Sequence, residues 1–214
     1  MDAPLAVPES ADARSETGSP LMLACPLAVE EKAARAGGAR AARIGLGACL
    51  PLPEGRLVAF GLTGALVDGL APGTLVTARR VVDADGTVLW EDEPLHVPGA
   101  VIGVVCDAGV IVDDAVARRE LARATGAVAV DTESATLAAT GRLAGVVRAV
   151  SDTTEEPIGR LGQAALPDGR TNWRVVARAL LSEPRATLRT ALATRRALAS
   201  LRSAAMALAP RARP

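Results

Sequence analysis

The sequence predicts an α/β fold: a single three-layer domain with a central mixed, largely parallel sheet flanked by helices, plus a C-terminal helical extension. Three observations predict it. Short runs rich in Val, Ala and Leu recur from residue 20 to residue 150. Segments with helical periodicity alternate with them, as they do when strands and crossover helices share one core. Beyond residue 170 the chain becomes Arg-rich and helical throughout. The expected organisation is a disordered segment over 1–19, an α/β domain over 20–169 and a basic helical extension over 170–214.

The first segment, MDAPLAVPESADARSETGS, is rich in Pro, Ser and acids and lacks the apolar run that could nucleate structure. PLMLAC (20–25) reads as a buried strand and PLAVEEKAARAG (26–37) as a turn and short helix. ARIGLGA (42–48) and LVAFGLTGAL (57–66) read as strands that run into Gly-rich backbone. GTLVTARRVVDADGTVLW (73–90) reads as two strands joined at Asp85-Gly86, a strong hairpin signal. AVIGVV (100–105) is a strand, and DDAVARRELARATG (113–126) a helix closed by Gly126. AVAV (127–130) and GVVRAV (145–150) are strands separated by the helix ESATLAATGR. In the tail, TNWRVVARALL and the segment from Pro184 are helices, with Ser182 as the expected cap of the second. Leu198, Leu201, Ala205 and Leu208 share one face there, extended by Leu188, Ala191 and Leu192, with arginines opposite.

Net charge is zero but unevenly spread: residues 170–214 carry +9 and residues 1–169 carry −9. The tail is therefore a basic appendage on an acidic body. Cys25, Cys49 and Cys106 stand far apart in apolar contexts, without zinc or disulfide spacing, and read as buried free thiols of a reducing cytoplasm. No metal site is expected. The N-terminus lacks the charge pattern and apolar core of a signal peptide. The single histidine, His96, leaves no room for a Ser-His triad away from it, and neither GxSxG nor GxxxxGK[ST] occurs. Phe60, Trp90 and Trp173 are the only aromatics, too few to stack bases, so nucleic acid is not an expected partner.

The informative stretch is GAVAVDTESATLAATGRLAGVVRAVSDTTEEP (126–157). Two buried strands are each followed at once by carboxylates: Asp131 and Glu133 after the first, Asp152 after the second. Ligands of open α/β sheets bind outside the carboxyl ends of strands. If the two strands are parallel, both acids face one ligand. The pattern also fits plain helix capping by Asp131 and a solvated loop over 152–156, and periodicity alone leaves both readings open.

VDTES followed by RAVSDTTEE resembles the paired signatures of the purine nucleoside phosphorylase and nucleosidase superfamily. AFGLTGALVDGLAPGTLV (59–76) resembles its Gly-rich segment, and LMLACPLAVEE (21–31) its first strand and Glu-bearing turn. Within the superfamily the Arg- and Leu-rich tail is most similar to the hopanoid-associated phosphorylase branch, credited with releasing adenine from adenosylhopane. The resemblance implies that Asp152 protonates the departing purine and that Ser151 orients it. Glu133 would hold the ribose hydroxyls beside Thr132. Glu30 would activate water, with Glu31 as the alternative register. Gly45, Gly47, Gly61, Thr63 and Gly64 would bring backbone close to ribose or phosphate. It implies no cofactor, with inorganic phosphate as a co-substrate if the reaction is phosphorolysis.

The chemistry suits these residue types. An N-ribosidic bond breaks through an oxocarbenium-like sugar, and neutral adenine leaves more readily than its anion. A carboxyl with a pKa raised by burial can supply that proton. The sequence departs from the family in CLPLPEGR (49–56), which is too short for the family's helix there. No clear phosphate-binding Arg cluster appears; Lys32, Arg35 and Arg43 are candidates. The expected protein is a cytoplasmic nucleoside-cleaving enzyme acting on a small-molecule nucleoside, lipid-linked in the branch it resembles. A homo-oligomer and peripheral contact of the C-terminal helix with the inner membrane face are further expectations. The rival is a catalytically silent homologue that binds a nucleoside or a protein partner.

Overall fold

The structure, a computed structural model, describes residues 21–210; the expected disorder of residues 1–19 lies outside them. In chain order the elements are β1 (Leu21–Cys25), α1 (Ala28–Ala36), β2 (Ala41–Arg43), β3 (Arg56–Ala65), β4 (Leu75–Asp83), β5 (Val88–Glu91) and β6 (Val101–Asp107). Then follow α2 (Ala115–Thr125), β7 (Ala129–Asp131), α3 (Ser134–Ala138), β8 (Leu143–Asp152), α4 (Trp173–Ser182) and α5 (Pro184–Leu208). Seven of the eight strands fall on the apolar runs of the sequence; β2 is only Ala41–Arg43, and ARIGLGA, expected as a strand over 42–48, leaves the sheet after Arg43 and forms a 3-10 turn at Leu46–Ala48. A 3-10 turn at Gly159–Ala164 carries no periodicity and was not expected.

The sheet is mixed and largely parallel, but it is not the flat middle layer of an open sandwich. β3 pairs with β7, β7 with β6, β6 with β4, β4 with β8, and β8 returns to β3. Five strands thus close into a barrel, with β1 and β2 added beyond β3 and β5 beyond β4. Closure removes two edges and buries β8 along all ten residues. Val146 and Val150 face one cluster with Ala59 and Val76, while Val147 and Ala149 face another with Phe60 and Leu201.

β3 runs parallel to β8 but antiparallel to β7. The two acid-bearing strands are therefore not parallel, as the shared-edge reading required. Their acids converge because β3 lies between them: Gly64 pairs with Val130 on one side and with Asp152 on the other. The C-terminal end of β3 is the meeting point.

The expected face of α5 packs on this frame through Leu201 and Ala205, with Leu198 and Leu208 against the same cluster, but its extension through Leu188 and Leu192 does not. α5 buries Ala193, Ala197, Leu201, Ala204 and Ala205, a stripe of mostly small residues. Leu188 and Leu192 face outward, at 57% and 47% exposure, and Leu198 and Leu208 are only half-buried. Small side chains let α5 approach α1 closely; a Cβ on Gly37 would meet Arg202 O at 2.5 Å. The residue before α5 is Glu183, without a side-chain cap, and Ser182 instead ends α4. Cys25 and Cys106 are buried, but Cys49 is exposed. As expected, no helix forms after β2 within 49–55. A short hairpin packs beside this segment: Ala165 bridges Thr171, Leu46 N donates to Pro167 O and Ala28 N to Gly169 O, both at 2.9 Å.

Candidate active site

One cavity of about 450 Å3 opens at the end of β3. Its inner wall carries Glu30, Thr63, Gly64, Thr132, Glu133, Ser151 and Asp152. The carboxyls drawn from α1, the β7–α3 junction and β8 thus face one space. Glu31 points outward and pairs with Arg35 at 2.7 Å, so Glu30 is the residue that α1 presents to the cavity.

Glu30 is buried at the first turn of α1, and both its oxygens are tied to backbone. Leu62 N donates to Oε1 and Leu27 N to Oε2, each at 2.7 Å. Burial pushes its pKa up to about 7, against the pull of those two amides and of Arg148. Gly61 makes room for it: a Cβ there would lie 2.8 Å from Glu30 Oε1 and 3.0 Å from Arg148 Nη1.

Glu133 is buried too. It accepts from Gly47 N at 3.1 Å and from Thr132 Oγ1, and its pKa is raised by burial although Arg148 opposes the rise. Asp131 sits behind it and serves two purposes. It accepts from Ser134 N at 3.2 Å at the start of α3, the capping expected as one reading, and it pairs with Arg148 Nη2 at 2.5 Å. Arg148 Nη2 also lies 3.6 Å from Glu133 Oε2. Burial by itself would lower the Arg148 pKa, but Asp131, Glu133 and Glu30 outweigh it and hold the guanidinium charged. Its Nε and Nη1 are buried and have no partner among the described residues.

Asp152 is buried rather than part of a solvated loop. Ser151 Oγ donates to its Oδ1 at 2.6 Å, and Arg118 Nη2 to its Oδ2. Burial raises its pKa while Arg118 pulls the other way. Arg118 reaches the site from α2 and is fully engaged: its Nε donates to Val112 O at 2.7 Å and its Nη1 to Thr153 O at 3.0 Å. Gly64 leaves space for this pair, since a Cβ would come within 2.9 Å of Asp152 Oδ2.

Not every expected residue reaches the cavity. Gly45, Gly47 and Gly61 are off its wall. Gly45 is crowded by Cys49 and by the Pro167 carbonyl, Gly47 touches the site only through its amide on Glu133, and Gly61 lies beneath Glu30. Lys32, Arg35 and Arg43 are also absent from the wall. The cations that stand at the carboxylates, Arg118 and Arg148, were not singled out in the sequence. Arg148 had a usable signal: an arginine inside GVVRAV, a strand apolar on both faces, must be buried and therefore paired.

No protein-family model and no curated protein matches the chain. Solved structures do, and they establish its fold, which is that of nucleosidases and a futalosine hydrolase. The futalosine hydrolase of Helicobacter pylori superposes with a TM-score of 0.57 at 14% identity, covering 88% of this chain and 97% of that one. The 5'-methylthioadenosine/S-adenosylhomocysteine nucleosidase of the same organism gives 0.53 at 15% identity, covering 87% and 94%. That of S. pneumoniae, bound to a transition-state inhibitor, gives 0.51 at 14%, covering 84% and 99%. At such identities the likeness establishes the fold.

Proposed function

We propose that this protein hydrolyses the N-ribosidic bond of an adenosine-type nucleoside and releases adenine. The carrying observation is that Glu30, Glu133 and Asp152 line one cavity and that burial raises the pKa of all three. In this reading Asp152, oriented by Ser151, donates a proton to the leaving base. Glu133, beside Thr132, accepts hydrogen bonds from the ribose hydroxyls. Glu30, with a pKa near 7, takes a proton from the attacking water. Arg148 holds Asp131 and Glu133 in place, and its two unpartnered nitrogens lie behind Glu30.

Charge favours water over phosphate as nucleophile. Glu30, Asp131 and Glu133 surround one cation, Arg148, so a phosphate dianion there would meet a net negative field. The outer cavity is apolar, with Leu46, Leu62, Ile158, Leu161 and Leu198 among its walls. It suits a nucleoside whose 5' substituent is large and apolar, and adenosylhopane is the candidate named by the sequence resemblance.

Incubation with 5'-methylthioadenosine and with adenosines carrying longer 5'-alkyl groups, followed by adenine release with and without phosphate, tests the proposal. Adenine and free ribosyl product without phosphate are expected, with preference for the longer chains. A strict requirement for phosphate would overturn hydrolysis. Absence of release from every substrate would favour the silent, nucleoside-binding homologue.

A further inference from the structure

The two helices of the tail present an outward face that the fold does not use. On α4, Val175 and Ala179 turn toward the protein, and the opposite side carries Trp173, Leu180 and Leu181, exposed by 74%, 50% and 86%. Arg174 and Arg178 flank that stripe, and both are exposed. On α5, Ala193, Ala197 and Leu201 turn inward, while Leu188 and Leu192 look out between Arg185, Arg189, Arg195 and Arg196. Glu183 is the one acid within 170–210, and it is paired with Arg160 at 2.8 Å. Exposed leucines bordered by arginines on the solvent side of a helix are the pattern of a helix lying in a lipid interface.

This face adjoins the cavity. Trp173 and Val176 of α4 and Ala191, Arg195 and Leu198 of α5 belong to the cavity wall. Trp173 is at once a wall residue and largely exposed, so it stands at the mouth. Val110 and Ile111 stand there too, at 65% and 54% exposure.

We infer that this face of α4 and α5 docks on an anionic bilayer, with the mouth of the cavity against the lipid. The inference rests on the reading of the cavity as a site for a nucleoside with an apolar 5' group. A bilayer is preferred over a second copy of the chain because charge complements it. A two-fold dimer through this face would set arginines against arginines, whereas anionic headgroups neutralise them. The apolar residues enter the headgroup boundary, and an apolar 5' substituent passes from lipid to cavity without crossing water. No described helix is long and apolar enough to cross a membrane, so the contact is superficial.

The full chain supplies its own probe. With Trp90 changed to Phe, the emission of Trp173 reports on the mouth alone. Vesicles of phosphatidylcholine with phosphatidylglycerol should shift that emission to the blue and co-sediment the protein; pure phosphatidylcholine should do neither. Salt should release the protein. Removal of arginines at 185 and 189 (Arg185→Gln, Arg189→Gln) should weaken binding about fivefold per residue. Leu181→Ser with Leu188→Ser should abolish vesicle binding while leaving adenine release from 5'-methylthioadenosine intact, since neither residue lines the cavity.

An unshifted Trp173 with no co-sedimentation at low salt would overturn the inference. So would a dimer in sedimentation velocity that Leu181→Ser dissolves, because the face would then belong to a second copy. If vesicles bind but no nucleoside is cleaved, the docking stands and the hydrolase reading fails. If 5'-methylthioadenosine is cleaved but no vesicle binds, the reverse holds.

Discussion

Two buried arginines, thirty residues apart in sequence, serve the same cavity in opposite ways. Arg118 meets one close carboxylate, Asp152, and every nitrogen it has is spent on Asp152 or on the carbonyls of Val112 and Thr153. Arg148 stands among three carboxylates and keeps two nitrogens without a partner among the described residues. The Arg118 end is a saturated cross-link that pins the chain after β8 to α2. The Arg148 end is electrostatically unfinished, with excess negative charge and spare donors. A buried donor without a partner costs about 1–3 kcal/mol. Arg148 is off the cavity wall, so its charge acts by setting the ionisation of the carboxyls in front of it, Glu30 and Glu133, as Arg118 sets that of Asp152.

The largest expected effect comes at the Arg118 end. Asp152→Asn keeps shape but cannot deliver a proton, and turnover should fall by ~10²–10⁴, with substrate binding changed much less. Wild-type turnover in that variant would remove Asp152 from the mechanism.

The two arginines themselves give the next test. Arg148→Met leaves three buried carboxylates without their cation and should cost about 3–5 kcal/mol in urea unfolding. It should also move the acidic limb of the pH–rate profile to higher pH, because Glu30 would ionise later. Arg118→Met should move the alkaline limb upward instead, because Asp152 would keep its proton longer. Identical profiles for the two variants would erase the distinction between the two ends.

A third test reads stability against pH. A carboxyl with a pKa of 4.5 in the unfolded chain and about 7 when folded favours the folded state fully below 4.5 and loses that contribution as pH rises through 7. The loss amounts to about 3 kcal/mol. Glu30→Gln should flatten this part of the curve, so wild type and variant should diverge between pH 5 and pH 8, at about the pKa range set by burial. Parallel curves would mean that burial does not raise the pKa of Glu30 as described. The smallest effect belongs to Glu133→Gln, which should cost ribosides about tenfold more than 2'-deoxyribosides, through one weakened hydrogen bond to charge.

Much of the fold was legible because burial in this chain follows aliphatic runs. Seven of the eight strands coincide with one, β2 being the exception, and α2 ends at Gly126 as its pattern announced. Barrel closure was not legible. It depends on the antiparallel return of β8 along β4, a contact far apart in sequence that no local signal marks. On α5 the face through Leu198, Leu201, Ala205 and Leu208 was legible, but its extension to Leu188 and Leu192 was not: leucine marks burial by hydrophobicity, whereas here alanines such as Ala193 and Ala197 are buried where the helix packs closely. The acids of the cavity were legible as acids following strands. Their cations were not, since Arg118 looks like any polar residue of an amphipathic helix and Arg148 like an interruption of a strand.

Glu30 joins two distant parts of the chain through one carboxyl group, holding the amide of Leu27, just before α1, with one oxygen and the amide of Leu62 in β3 with the other. The group proposed as the base is thus also a rivet of the scaffold. Protonation weakens its grip on both amides, so the start of α1 should be held less tightly below about pH 7 than above it. Relative to their neighbours, the amides of Leu27 and Leu62 should therefore lose exchange protection in acid and regain it in base.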